Sequence, residues 1–187
     1  MKRKILIFIV TYQSSFRLMT IIKKIKKIKR KKDLYRILIS DDNSTDDTIN
    51  YIKKIKKFEK VNIILNKKNI GYGANIKQCL FYAIKRNFDY AIMIHGDDQY
   101  DAKYIPKIVN KLRDKNIYMV TGSRMVNKND ALKGGMPLYK FVGNIILTKI
   151  FNLLCKTNFT DCHTGLWGYK INIFKHINLK KIDDAFN

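Results

Sequence analysis

Continuous apolar runs alternate along the chain with segments whose apolar residues return every three or four positions. That alternation predicts a layered α/β domain on a mostly parallel sheet. Residues 4–10 form an unbroken apolar run, expected as a buried strand, and 16–28 place Phe16, Met19, Ile22 and Ile25 on one helical stripe. A strand over 35–40, a helix over 48–58 and a short strand over 61–65 follow, the last ending in an Asn/Lys/Gly turn. Residues 73–86 predict a helix with Ile76, Leu80 and Ala83 inward, and 89–94 a fourth strand. A helix over 102–112 must accommodate Pro106, which fits the first turn of a helix beginning near Tyr104. Residues 118–122 complete the series as a further strand.

After Arg124 the pattern changes. Residues 126–135 are polar and contain glycine, as expected of a loop or crossover, and 138–154 predict one long helix. The apolar side of that helix is wider than a core-facing stripe requires, so the sheet, a further segment or a membrane could receive it. No repeat or compositional linker divides residues 1–187, which are expected to form a single domain.

Polar clusters fall where the strands end: Thr11-Tyr12-Gln13, Asp41-Asp42-Asn43, His95-Gly96-Asp97-Asp98 and Gly122-Ser123-Arg124. Ligands of open α/β sheets bind at the carboxyl ends of strands where the strand order reverses. In the second cluster Ser44, Thr45 or Asp46 can cap the following helix, which leaves Asp41 and Asp42 unaccounted for. A carboxylate at a strand exit can accept from a nucleobase N–H or ribose hydroxyls; Asp41 is the favoured base-side contact and Asp42 the alternative. Gly71 and Gly73, in Asn69-Ile70-Gly71-Tyr72-Gly73-Ala74-Asn75, make a glycine turn into a helix without the lysine and hydroxyl of a P-loop.

Acids after a buried strand are costly unless solvated, paired or bound to an ion. Asp97, with Asp98 beside it, can hold Mg2+ or Mn2+ against a diphosphate, and oxygen ligands favour these ions over zinc. Arg124 can engage a phosphate. In Asp161-Cys162-His163-Thr164-Gly165, His163 can carry a proton or bind phosphate, and Asp161 can orient His163 or an acceptor hydroxyl.

Composition adds limits. Apolar residues are 46% and charged residues 28% of 187, a globular balance, and no run approaches the roughly 18 uninterrupted apolar residues of a membrane span. The basic start and short apolar run lack a cleavage pattern, so a first strand is expected rather than a signal peptide, and the location expected is cytoplasmic. Three scattered cysteines suggest reduced thiols rather than a disulfide framework. The net charge of +23 comes mostly from lysines paired between isoleucines, as on solvent faces of amphipathic helices, and no nucleic-acid-binding motif accompanies them. Lysine, asparagine and isoleucine are abundant together, as a genome rich in A and T produces without selection for any partner; weak attraction to an anionic lipid surface ranks above nucleic-acid binding.

The order of these motifs resembles the large inverting glycosyltransferase family 2, with its GT-A fold. Within it, the chain is similar to enzymes that resemble dolichol-phosphate mannose synthase and the undecaprenyl-phosphate sugar transferases. Ile9 through Gln13 resembles the first nucleotide-binding strand and turn, Asp41 through Asp46 the acidic turn, and Asn69 through Ala74 the glycine segment. His95 through Tyr100 stands at the metal motif, while Gly122-Ser123-Arg124 and Asp161 through Tyr169 resemble later segments. Two positions depart: His95 stands where an acidic residue is common, and Trp167 where an arginine is expected.

The resemblance implies that residues 1–124 bind a nucleotide-diphosphate sugar (UDP-sugar ahead of GDP-sugar) through Thr11, Tyr12, Asp41, Asp42, Gly71, Gly73 and Asp97. Residues 125–187 would face the acceptor, a lipid phosphate or cell-surface glycan, with Arg124, Asp161 and His163 at the chemistry. It also implies a further strand–helix unit after Asn187 and peripheral contact with the inner face of the membrane. The alternative readings are a catalytically impaired nucleotide-sugar-binding or assembly protein and a basic nucleic-acid-binding protein.

Overall fold

In a computed structural model, which describes residues 2–28, 33–127, 131–132 and 135–184, six strands form one twisted sheet. The strands are β1 (Lys4–Thr11), β2 (Leu34–Asp41), β3 (Asn62–Leu65), β4 (Tyr90–His95), β5 (Met119–Thr121) and β6 (Leu166–Lys170). The helices are α1 (Arg17–Lys26), α2 (Thr48–Phe58), α3 (Tyr72–Lys85), α4 (Ile105–Leu112) and α5 (Leu138–Cys155). Strand order is β3-β2-β1-β4-β6-β5.

β1 is central because every residue from Ile5 to Thr11 is buried. Side chains alternate across a strand, so Ile5, Ile7 and Ile9 join a core with α1, α2 and α4. Leu6, Phe8 and Val10 face the opposite core with Cys79, Leu80 and Ala83 of α3. This three-layer arrangement is the doubly wound α/β architecture expected from the pattern, and it agrees with the GT-A fold that the resemblance implies. Winding runs outward from β1 through β2 to β3, then returns to β4 on the other side of β1. The reversal therefore lies between β1 and β4, where Val10 pairs with His95 while Thr11 pairs with Asp41.

Several details differ from the sequence expectation. Phe16 is exposed and precedes α1, whose buried face is Leu18, Ile21, Ile22 and Ile25. The helix starts later because the Thr48 hydroxyl accepts from the backbone N–H groups of Ser14 and Ser15, fixing the turn before it. Residues 102–104 form a separate 3-10 turn before α4, while Pro106 sits in the first turn of α4 as expected, where a missing N–H costs nothing. β6 was not anticipated as a strand. It runs antiparallel between β4 and β5, so the C-terminal part of the chain contributes to the sheet. Of the loop expected over 126–135, residues 128–130 and 133–134 lie outside the described residues.

α5 sits apart from the cores. Only Asn144 and Thr148 are buried, while Leu138, Tyr139, Leu153 and Leu154 are at least two-thirds exposed. Among the described residues it is the one helix long and apolar enough, by length and composition, to cross a membrane, which sequence inspection for uninterrupted apolar runs passed over. Its buried polar residues hold it along the domain surface.

Candidate functional site

The polar strand exits converge at the β1/β4 reversal, and each is shaped by hydrogen bonds to the next. Asp41 is fully buried; its carboxylate accepts from Ser44 N (2.9 Å) and from Ser44 Oγ (2.6 Å). Ser44 Oγ in turn accepts from Gln13 N at 2.9 Å, tying the β1 exit to the β2 exit. Ser44 is thereby committed and does not cap α2. Thr45 Oγ1 accepts from Gln13 Nε2 instead, and Asp46 Oδ1 takes the Thr48 N–H at 3.0 Å.

Asp42, also buried, joins the acidic turn to the glycine turn. It accepts from Asn66 Nδ2 (3.1 Å), Ile70 N (2.9 Å) and Gly71 N (3.0 Å). Gly71 adopts φ 87°, a conformation open to glycine without strain, and so aims its N–H at Asp42. Gly73 lies in the first turn of α3. Thr11, at the end of β1, has a buried hydroxyl with no hydrogen-bond partner among the described residues. Tyr12 beside it is half exposed and accepts from Gln13 Nε2.

At the β4 exit the two acids diverge. Asp97 accepts from Gln99 N at 3.1 Å, and its Oδ2 lies 3.9 Å from His95 Nδ1. Burial pushes the Asp97 carboxyl up, but the His95 ring and the Gln99 N–H outweigh it and hold it below the ordinary range. Asp98, at φ 61°, turns the other way and pairs with Lys24 of α1 at 2.8 Å. The two carboxylates expected to act together on one ion therefore have different partners here.

Arg124 and Asp161 form a second polar centre. Asp161 is 1% exposed. Its Oδ2 accepts from Arg124 Nε (3.1 Å) and Arg124 N (3.2 Å), its Oδ1 from Asn144 Nδ2 (2.8 Å) and His163 N (3.2 Å). Four donors fill the four lone-pair sites of a carboxylate. Burial raises the Asp161 carboxyl, and Arg124 and Asn144 more than offset this, so it stays ionised. The bond to His163 goes to its main chain rather than to the imidazole that sequence reasoning had Asp161 orient. Arg124 also donates to His163 O at 2.8 Å and lies over the Tyr100 ring. Trp167, at the expected arginine position, is built into β6, with its Nε1 donating to Thr164 O and its ring stacked on Tyr169.

Sequence reasoning missed Tyr72, Asn144 and Gly165. Tyr72 Oη is hydrogen-bonded to His95 Nε2, and Asn144 secures Asp161 from α5. A Cβ at Gly165 would stand 2.6 Å from His95 Cγ, so glycine is what admits the His95 ring. Gly165→Ala is accordingly expected to destabilise the fold by about 1–3 kcal/mol through overpacking, measurable as a lower denaturant midpoint. The polar Asn144 and Thr148 within an apolar run carried the missed signal.

An open cleft of about 1430 Å³ lies between Tyr100, Tyr104, Arg124, Asn144 and Leu147. Lys103, Lys107, Lys111 and Lys140 on its wall outnumber Asp98 and Asp101, giving it a positive balance.

A family model described as Glycosyl transferase family 2 matches residues 6–177. The low-salt glycan biosynthesis hexosyltransferase Agl6 of Haloferax volcanii is 32% identical over 135 residues, or 71% of this chain and 30% of that protein. The UDP-N-acetylglucosamine–dolichyl-phosphate N-acetylglucosaminyltransferase of Methanococcus voltae is 28% identical over 152 residues, 74% of this chain and 60% of that protein. Among solved structures, the mannosyltransferase PcManGT from Pyrobaculum calidifontis, in complex with GDP-Man and Mn2+, gives a TM-score of 0.66 at 14% identity, covering 94% of this chain and 47% of that one. Glucosyl-3-phosphoglycerate synthase from Mycobacterium tuberculosis, in complex with UDP, gives 0.64 at 15% identity, covering 91% and 58%. At these identities the structures share the fold, and the chain spans less than two thirds of the length of each of these four proteins.

Proposed function

The chain belongs to glycosyl transferase family 2, and from that premise we propose that it transfers a sugar from a nucleotide-diphosphate sugar to an anionic lipid-phosphate acceptor. The observation that carries the acceptor is the saturation of Asp161. A hydroxyl acceptor needs a base to remove its proton, and this buried, ionised carboxylate has all four lone-pair sites occupied. A phosphate oxygen is already anionic and needs none. The lysine-rich cleft supports the same choice.

The nucleoside end of the donor lies against Thr11, Tyr12, Asp41, Asp42, Gly71 and Gly73. Asp42 holds the glycine turn against the acidic turn. Asp41 and Asp42 chiefly organise the turns that bind and orient the nucleoside. UDP is favoured over GDP.

The described residues contain no group of three or more metal-ligating side chains. A magnesium or manganese ion brought in with a diphosphate needs only one or two protein donors, and Asp97, ionised and one-third exposed, fits that demand. Such an ion supplies charge neutralisation for the departing diphosphate. Asp98 is the less suited helper, being neutralised by Lys24.

Transfer is a single displacement with inversion. The acceptor oxygen forms its bond to the anomeric carbon as the bond from that carbon to the diphosphate oxygen breaks on the opposite face. Arg124, fixed by Asp161 and Tyr100, presents its guanidinium to the phosphate charge. Asp161 acts through Arg124 as a positioning residue, and the role proposed for His163, exposed beside it, is donation to the acceptor phosphate.

The exposed apolar side of α5 borders the cleft through Leu147 and carries Lys140 and Lys149 nearby, so it rests on the membrane face that holds the lipid. The double substitution Leu153→Ser and Leu154→Ser is expected to leave stability within about 0.5 kcal/mol while sharply reducing co-sedimentation with anionic vesicles. Unchanged sedimentation would remove α5 from the membrane reading. The activity itself is tested by incubating the chain with UDP-sugars, manganese and either a polyprenyl phosphate or a soluble glycan. Label passing only to the glycan would contradict the acceptor assignment.

A further inference from the structure

A further cleft, of about 660 Å³, lies at the opposite end of the sheet from the polar strand exits. It opens between Arg3 and Tyr90, at the starts of β1 and β4, and Lys170 at the end of β6. Lys170 reaches this end because β6 runs antiparallel, with Lys170 opposite Tyr90. The eight residues of β1 separate the cleft from Thr11, about 23 Å at the rise of a strand, and it shares no lining residue with the cleft at Arg124. Its charges do not cancel. Asp89 is the one acid on its wall, and both oxygens are taken, Oδ1 by Arg3 Nη1 at 2.9 Å and Oδ2 by Lys4 N at 2.8 Å. Arg113 is neutralised by Asp33 at 2.6 Å, and Asp114 accepts from Asn116 N and does not line the cleft. Lys115, Lys170 and Lys175 remain. Lys170 Nζ donates to the carbonyls of Asp114 (2.6 Å) and Lys115 (3.3 Å), beside the Tyr118 ring, which fixes the ammonium without cancelling its charge. Lys115 and Lys175 are exposed and make no ion pair among the described residues.

Like charges around one concave wall raise its potential, because a low-dielectric cleft concentrates the field. Ile84, Phe88, Ile171 and Phe174 give the same cleft an apolar part, and the side-chain amides of Asn87 and Asn172 bond no described residue. Its volume falls within the roughly 300–1,000 Å³ of small-molecule sites, more than a bare phosphate fills. We propose that this cleft is a second binding site, for a small soluble phosphate monoester whose dianionic group bridges Lys115, Lys170 and Lys175 while its organic body lies on the apolar part. Ammonium groups give phosphate oxygens charge-assisted hydrogen bonds, and a dianion offsets most of the three charges where a carboxylate offsets one. The site is independent of sugar transfer, since the residues assigned to donor and acceptor stand at the other end of the sheet.

The probe is phenyl phosphate, titrated into the 15N-labelled chain and followed by amide shifts and by calorimetry. Shifts are expected to cluster at residues 87–90, 113–115 and 170–175, with a Kd below about 1 mM. Lys115→Met with Lys175→Met is expected to keep the unfolding midpoint, both side chains being exposed, and to weaken binding about tenfold or more. Lys53→Met with Lys56→Met removes two exposed charges from α2 instead and is expected to leave the affinity within about twofold. Equal weakening by the two pairs, or shifts centred on the strand exits or on Arg124, overturns the proposal. Inorganic phosphate or phenol binding as tightly as the ester overturns the two-part ligand, and phosphatidic-acid vesicles shifting the same amides overturn a soluble one. The unsubstituted chain gives its answer through the position of the shifts even if a variant does not fold.

Discussion

Asp161→Ala is expected to lower the stability of the chain by about 3–5 kcal/mol, the cost of breaking a buried ion pair by removing one partner. Arg124 loses its carboxylate and Asn144 and His163 N lose an acceptor at the same stroke. The loss also detaches α5, because Asn144 and Thr148 are its only buried residues. Denaturant unfolding should show the drop, and hydrogen exchange should show α5 amides opening first. Asp161 carries a pH signature as well. Its carboxyl is held below the ordinary aspartate range when folded, so its contribution is fully present above about pH 3.9 and is lost as pH falls through the depressed folded value. The acid limb of the stability curve should therefore flatten in Asp161→Ala. An unchanged limb would show that this carboxylate is not the ionised partner of Arg124.

Asp97→Asn is expected to act in the opposite sense, with little cost in stability and a large cost in transfer. Its carboxylate is one-third exposed and makes few protein contacts, so the unfolding midpoint should move by less than about 1 kcal/mol. Loss of the charge stabilising the departing diphosphate should reduce turnover by about 10³-fold. A variant with wild-type turnover would move the ion site elsewhere. Asp98→Asn, which releases only the surface pair with Lys24, should reduce turnover far less.

The elements that sequence pattern revealed are those whose environment repeats. β1, β4 and the second half of β2 are buried on both faces and therefore rich in consecutive apolar residues, and α2 has a simple one-sided stripe. β6 escaped notice because Leu166–Lys170 is short and follows a polar turn, and its place is set by pairing with β4 and β5, far away in sequence. Strand exits and acidic turns were legible because charges after buried strands stand out. Their partners were not. Asp42 reaches Gly71 across 29 residues and Asp161 reaches Arg124 across 37, distances over which composition says nothing. Phe16 was misplaced on the α1 stripe because the helix start is dictated by Thr48 from another element.

On the proposed function, the carboxyl ends of β1, β2 and β4 bind a nucleotide-diphosphate sugar with a divalent ion at Asp97. Calorimetric titration of UDP-sugars and GDP-sugars, in manganese, in magnesium and in chelator, against the unsubstituted chain and Asp97→Ala, tests it most directly. Metal-dependent binding, strongly weakened in the variant, is the expected result. Equal binding by both proteins in chelator would contradict it.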